Sequence, residues 1–219
     1  MTPGVVRLSH WTIRAPSAED FANRRRCSTS AICIGRGPRR RLRLSRHRPG
    51  RSAVAIKPIV RPTELPLSLQ THGETFEARF AAVAAPLGSK RLGSRYVEIP
   101  AGKKGWPLHC HHANDELFVI LSGRGTLRFG DETYSVTAGD VVVCPAGGPE
   151  TAHQLIAADD APLAYLAVST MNEPDVMEYP DSGKLTIFAG AAPGGDKAAR
   201  RVAITVKADS GVDYWDGED

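Results

Sequence analysis

Several features that define common protein classes are missing from this 219-residue sequence. It contains no run of eighteen apolar residues and no apolar leader core, so it predicts neither a membrane span nor a secretion signal. Its four cysteines form no Cys-x-x-Cys pair, which argues against a structural zinc site, a redox motif and a disulfide framework. No glycine-rich nucleotide-binding loop is present either. These absences together favour a cytoplasmic protein of another class.

Charge is distributed unevenly along the chain. Between Met1 and Lys57 there are thirteen Arg and one Lys against Glu19 and Asp20, a balance of +12. The rest of the chain has fourteen basic and twenty-two acidic side chains, a balance of −8. Because the basic segment is rich in Ser, Pro and Gly and has no apolar period, residues 1–56 are predicted to be a disordered extension.

Several roles remain open for this extension. A solvated tail, or a stretch upstream of a wrongly chosen start codon, is favoured over an organelle transit peptide or an arm that binds phosphates. Nucleic acid is an unlikely partner on this evidence, because the chain has no helix-turn-helix pattern beside its basic segment.

Residues 57–219 are predicted to form one all-β domain. Short segments rich in β-branched and aromatic residues recur between glycine-containing turns, and no long amphipathic helix interrupts them. Such a pattern is typical of a β-sandwich or a small β-barrel. Strands are predicted at 75–84, 92–99, 116–121, 125–129, 132–136, 140–144, 153–157, 162–169, 185–188 and 202–206. One of the glycine-containing turns is expected to begin at Gly123, where the chain should reverse.

Three histidines and one glutamate form the most informative group in the sequence. His109 and His111 are two residues apart, so on a strand they point to the same face while Cys110 points away. Glu116 follows on the next predicted strand, and His153 comes after a further glycine-punctuated β segment. Imidazole and carboxylate ligands suit divalent iron, manganese, nickel, copper or zinc. We therefore predict a mononuclear metal site formed by His109, His111, Glu116 and His153.

Alternatives to this ligand set follow from the same residues. A slip of one residue in the strand register would replace His111 by His112, because it would turn every side chain to the opposite face. A solvated histidine-rich loop would bind no metal at all. Cys144 precedes Pro145 near the predicted site, but a small buried hydrophobe is favoured over a ligand or a reactive thiol.

The two segments resemble the motifs of the cupin family. His109-x-His111-x4-Glu116-x6-Gly123 is similar to the first cupin motif, and Gly139-x5-Pro145-x-Gly147 with His153 is similar to the second. The resemblance covers about residues 79–170. Four extra residues, 148–151, separate Gly147 from His153 and predict a longer loop at the barrel mouth. The resemblance implies a cupin-type small β-barrel, or jelly roll, with one metal ion and frequent formation of homodimers.

The resemblance does not imply one reaction, because a single fold hosts many functions. A metal-dependent enzyme of the oxygenase, isomerase or decarboxylase type, acting on a small polar molecule, is favoured over a non-catalytic small-molecule binder or sensor. Tyr165, Phe118 and Arg128 are the residues that we expect to assist near the metal.

Overall fold

The computed structural model describes residues 57–218, and the predicted disordered extension 1–56, with Cys27 and Cys33, lies outside the described residues. Over the described range the chain forms twelve β-strands and five short 3-10 helices, with no α-helix. The strands are β1 Ser68–His72, β2 Phe76–Ala82, β3 Leu92–Ile99, β4 Cys110–His111, β5 Glu116–Phe129, β6 Glu132–Thr137, β7 Val141–Cys144, β8 His153–Ala157, β9 Leu163–Thr170, β10 Asp175–Tyr179, β11 Lys184–Ala189 and β12 Val202–Lys207. The 3-10 helices are Pro62–Glu64, Ala85–Leu87, Pro149–Thr151, Pro180–Ser182 and Lys197–Ala199. The predicted all-β class is confirmed.

The strands belong to two antiparallel sheets. In the larger sheet the order is β1-β2-β3-β9-β5-β6, with β7 and β8 also pairing with β5. In the smaller sheet the order is β12-β11-β10-β4. A bridge between His109 and His153 connects the region around β4 to β8, where the two sheets approach each other. The candidate metal ligands therefore lie at the junction of the sheets.

The largest departure from the predicted elements concerns Gly123. The sequence predicts a chain reversal there, but β5 continues through Gly123 from Glu116 to Phe129 with a register shift between Ile120 and Ser122. Gly123 has a φ of 79°, and a Cβ atom added to it would lie 1.8 Å from the carbonyl oxygen of Pro162. The glycine therefore allows a bulge and a close approach of two segments, and the prediction of a turn at this position is wrong.

The core consists of side chains that alternate along the strands of the larger sheet. Val97 and Ile99 on β3, and Phe118 and Ile120 on β5, are all buried. Because successive side chains of a strand point to opposite faces, these pairs define the inner face of each strand. Burial of one such side chain stabilises the fold by about 1.5–3 kcal/mol. Glu116 and Arg95 continue the same inner faces towards one end of the core.

None of the helices in the described part of the chain is long and apolar enough to span a membrane.

Candidate metal centre

The four predicted ligands lie in or next to three strands, β4, β5 and β8. His109 immediately precedes β4, His111 ends it, Glu116 opens β5 and His153 opens β8. The backbone of His109 pairs with that of His153 through two hydrogen bonds of 3.2 and 2.8 Å. His153 also pairs with Phe129 at the far end of β5, so the curvature of β5 is what brings Glu116 to the same place.

The side chains of the four residues converge. One ligand atom from each of His109, His111 and Glu116 lies within 4.8 Å of the other two. The Oε2 atom of Glu116 is 2.9 Å from Nε2 of His153 and 3.8 Å from Nε2 of His111. The ring centroids of His109 and His153 are 4.8 Å apart. The structure therefore brings together all four residues that the sequence predicts as ligands.

The Nδ1 atom of each imidazole is engaged by an oxygen atom on its outer side. The acceptors are the Pro107 carbonyl for His109 at 2.8 Å, the Asp175 carboxylate for His111 at 2.7 Å and the Thr151 carbonyl for His153 at 3.1 Å. A carbonyl or carboxylate oxygen can only accept, so Nδ1 carries the proton in each ring. In a neutral imidazole the Nε2 atom is then an unprotonated lone-pair donor.

The electrostatics of the cluster favour the metal-binding forms of two ligands. Burial, reinforced by the neighbouring His153, lowers the pKa of His109 to about 3, against the opposing effect of Glu116. Burial alone would raise the pKa of Glu116, but the contact with His153 and the positive charge that His111 and His153 carry when protonated lower it to about 2. His109 is therefore neutral and Glu116 ionised at neutral pH.

The donor set fits a divalent metal ion. With bonds of roughly 2.0–2.2 Å to nitrogen and oxygen, an ion separates neighbouring ligand atoms by about 3–4 Å, which is the range found around Glu116. A neutral His153 would also point a lone pair at a carboxylate oxygen 2.9 Å away, so this contact needs either a proton or a cation between the two atoms. An ion shared by the four side chains would supply that cation.

The cluster lies in the wall of a cavity of about 800 Å³. The aromatic side chains of Phe118, Tyr165 and Trp106 line one part of the cavity. Residues 190–196, in the loop after β11, line another part, mostly with small side chains. Burial raises the pKa of Tyr165 far above its usual value, so its phenol remains protonated and can donate a hydrogen bond. The expectation that Phe118 and Tyr165 lie near the cluster is met by this geometry.

Other predicted residues lie elsewhere. His112 points to the opposite face of its strand, where its Nε2 is 3.2 Å from Glu178 and its side chain is 44% exposed. Arg128 does not line the cavity: it forms a bidentate pair with Asp181, at 2.7 and 3.0 Å, so its expected role near the metal is wrong. Cys144 is buried in the core, and burial raises the pKa of its thiol to about 12. The thiol therefore stays protonated at neutral pH, which agrees with the interpretation of Cys144 as a small buried hydrophobe.

Two residues near the site have no signal in the sequence. Asp175 is completely buried and holds His111 from β10, and Arg95 lines the cavity from β3. Both come from strands distant in sequence from the histidines, so only the order of the strands in the sheets reveals them.

The fold and the cluster describe an all-β protein with candidate metal ligands inside a barrel-like core, and comparison with known families agrees. Residues 95–169 match the family model described as the cupin domain. The match identifies a cupin domain within these residues, which make up about a third of the chain.

Individual relatives and solved structures match different shares of the chain. An uncharacterised protein of Methanocaldococcus jannaschii is 34% identical over 71 residues, which are 32% of this chain and 54% of that protein. The chain thus spans about half the length of this curated relative. A candidate sugar phosphate isomerase from Acidithiobacillus ferrooxidans has a similar structure, with a TM-score of 0.55 at 22% identity over 68% of this chain and 90% of that one. A sugar phosphate isomerase of the cupin superfamily from Silicibacter pomeroyi gives a TM-score of 0.53 at 21% identity over 64% and 82%. At these identities the two structures establish the shared fold.

Proposed function

We propose that this chain is a mononuclear metal protein in which His109, His111, Glu116 and His153 hold a divalent ion that acts on a small oxygen-rich molecule. The observation that carries the proposal is the orientation of the imidazoles. Each Nδ1 is occupied by an oxygen acceptor, so the three Nε2 atoms and the Glu116 carboxylate remain as donors around one point.

Iron, manganese, nickel or zinc are all compatible with these donors, so the proposal does not choose among them. When bound, the ion would supply Lewis acidity to a substrate oxygen or a position for dioxygen. The residues of the chain have separate tasks. Tyr165 can donate its phenolic proton in a hydrogen bond to a substrate oxygen, and Phe118 and Trp106 exclude water from the cavity.

We rank an enzyme of the isomerase, decarboxylase or oxygenase type above a non-catalytic binder or sensor. Four protein ligands leave two open positions on a six-coordinate ion, and open positions distinguish reactive sites from structural ones. Because two proteins of similar fold carry the description sugar phosphate isomerase, sugar phosphates belong in the first substrate screen. The screen also includes small carboxylic acids, with and without dioxygen. A protein that keeps its ion and binds molecules without converting any would support the binder instead.

We also expect the protein to be a cytoplasmic homodimer. The cytoplasmic expectation comes from the cysteine pattern, and the dimer is common in the cupin family. Multi-angle light scattering of the full chain should give twice the mass of one chain. A single-chain mass would reject the dimer without affecting the metal site.

The metal proposal is tested by measuring metal content with plasma mass spectrometry. The full chain is purified without oxygen and without a metal-binding affinity tag. We expect about one ion per chain for the wild type, and severe loss for H109A and E116Q.

The matched control is H112A, which removes an exposed imidazole adjacent to His111. It should retain the ion. Circular dichroism of every variant separates loss of the site from loss of the fold. Full metal content in a folded H109A or E116Q protein would remove that residue from the site, and a wild type that refuses all added ions would reject the proposal.

A further inference from the structure

The cavity that holds the candidate ligands has a guanidinium group in its wall. Arg95 lies on β3 and points to the same side as Val97, and both residues line the cavity. The guanidinium carbon is 5.3 Å from the centre of the Phe80 ring. A Cβ atom on Gly194 would lie 3.1 Å from a terminal nitrogen of Arg95, so the glycine packs directly against the guanidinium. These contacts fix the position of the charge.

Within residues 57–218, no side-chain hydrogen bond or ion pair satisfies Arg95. By contrast, Arg128 and Arg124 on β5 each pair with an aspartate. Arg95 is also partly buried, and burial lowers its pKa; the nearby positive charge of Arg200 acts in the same direction, while Glu116 and Tyr165 oppose them. A partly buried charge without an anion has lost hydration that no partner in the chain replaces.

No acid among the residues that line the cavity is available to neutralise Arg95. Glu116 is in hydrogen-bond contact with His153 and belongs to the candidate metal centre. Glu173 and Asp196 are exposed, and the Asp196 carboxylate accepts a hydrogen bond from the backbone of Ala198. The Arg95 guanidinium is therefore fixed by its contacts with Phe80 and Gly194, has no anionic partner in the described part of the chain, and faces a cavity that can admit a ligand.

The sheet order fixes the distance between this charge and the candidate ligands. Strand β9 lies between β3 and β5; Arg95 pairs with Ala167 and Glu116 pairs with Ser169 on it. With adjacent strands about 4.8 Å apart and an offset of two residues, about 6.6 Å, along β9, the backbones of Arg95 and Glu116 are separated by roughly 12 Å. A molecule of a few bonds in length can contact both side chains.

We infer that the ligand of this cavity carries an oxyanion, a carboxylate or a phosphate, which Arg95 binds while another oxygen of the same molecule faces the His109, His111, Glu116 and His153 cluster. The guanidinium suits this task because its planar fork can donate two parallel hydrogen bonds to either oxyanion. The second contact rests on the proposed function, whereas the first depends only on Arg95 and its surroundings.

The test compares three probes that share adjacent hydroxyl groups: glycerol 3-phosphate, glycerate and uncharged glycerol. Each is titrated by calorimetry into the full chain, once after chelator treatment and once after reloading with the ion that it retains. We expect one or both anions to bind, and glycerol to bind much more weakly. The two anions distinguish a phosphate site from a carboxylate site.

Three variants identify the residue responsible. R95M keeps the packing of the side-chain stem on Phe80 and should weaken anion binding roughly tenfold to a hundredfold, the range for a lost charge-assisted hydrogen bond. R95K keeps the charge without the fork and should lie between R95M and the wild type. K90M removes an exposed positive charge from the lining of the same cavity and should change the affinity less than twofold. Thermal unfolding verifies that each variant is folded.

Three results would overturn the inference. They are equal weakening in R95M and K90M, glycerol binding as tightly as the anions, and no binding of either anion or of inorganic phosphate at millimolar concentration. Metal content measured on the same samples keeps the two proposals separate. Arg95-dependent anion binding in a chain that takes up no ion would support the oxyanion site and reject the metal centre. A protein that retains its ion but binds the anions equally well with and without Arg95 would support the metal centre and reject the oxyanion site.

Discussion

At the scale of single residues, His111 depends on an acid that comes much later in the chain. Asp175 is completely buried, and its Oδ2 atom accepts the hydrogen bond from Nδ1 of His111 at 2.7 Å. Its Oδ1 atom accepts a second hydrogen bond, of 3.0 Å, from the backbone of Ala113. These two contacts fix both the tautomer and the orientation of the His111 ring. Such a partner raises the basicity of a metal-ligating imidazole.

We predict that Asp175→Asn lowers the affinity for the metal by about 10- to 100-fold, the usual effect of changing an acid that supports a ligating histidine. The amide has the shape of the carboxylate but lacks its charge. Competition with a chromophoric chelator measures the affinity. Glu178→Gln on the same strand is the control, because Glu178 contacts the exposed His112 and should leave affinity unchanged. Wild-type affinity in a folded Asp175→Asn protein would contradict the prediction.

The sequence predicts the site residues that a local spacing rule relates to each other, but not those that reach the site through long-range contacts. The two-residue spacing of His109 and His111 predicts a shared face, and both side chains do meet Glu116. The same rule separates His111 from His112. Asp175 and Arg95 reach the cavity from other strands, and no spacing in the sequence marks their pairing. Asp175 and Arg95 come close to the histidines only because of the order in which the strands pair in the two sheets. The sequence alone does not establish that order, so it cannot identify these two residues.

At the scale of secondary-structure elements, the sequence predicts nine of the twelve strands in the described part of the chain and does not predict β1, β4 and β10. The predictions at 92–99 and 153–157 agree with β3 and β8 in both bounds. Strand β1 was missed because all five of its residues are exposed, which removes the alternation. Strand β4 has only two residues, too few for any period. The site histidines are therefore held partly by an element that no periodicity could reveal.

The bulge in β5 gives a prediction about glycine. Gly123 and Gly139 both have positive φ angles, of 79° and 99°. A Cβ atom at Gly123 would collide with the backbone of Pro162, whereas one at Gly139 would have no atom within 4 Å. We predict that Gly123→Ala costs roughly 2 kcal/mol or more, since it adds a clash with the backbone to the strain of about 1 kcal/mol that Gly139→Ala alone should show. Urea unfolding of the two variants measures the difference, and equal midpoints would exclude the clash.

At the scale of the whole molecule, the cavity extends beyond the part of the chain that matches the cupin domain. Residues 95–169 include all four candidate ligands and Arg95, but the loop at 190–196 and Met177 also line the cavity. The family match therefore covers the candidate centre, while part of the surface that a ligand would meet lies outside the matched residues. No motif or periodicity in the sequence marks that division.

The charge asymmetry leads to a prediction about the whole chain. Removal of residues 1–56 deletes thirteen Arg and two acids and changes the net charge from +4 to −7. All twelve strands of the described part lie between Ser68 and Lys207, so the two sheets keep every pairing partner. We predict that the truncated protein keeps its metal content and that its Tm changes by no more than about 2 °C, the lower end of the shift expected for a 1 kcal/mol change.

Two truncations test the domain boundary at residues 56 and 57. The one that begins at residue 57 removes no strand of the described part of the chain. A truncation that begins at residue 83 is the comparison, because it also removes β1, β2 and the buried Ala78 and leaves β3 with only one of its two neighbouring strands. That protein should unfold or precipitate. Metal content and thermal unfolding are measured on both. If the chain that begins at residue 57 is also insoluble or loses its ion, then residues 1–56 contribute to the fold and the boundary lies earlier in the sequence.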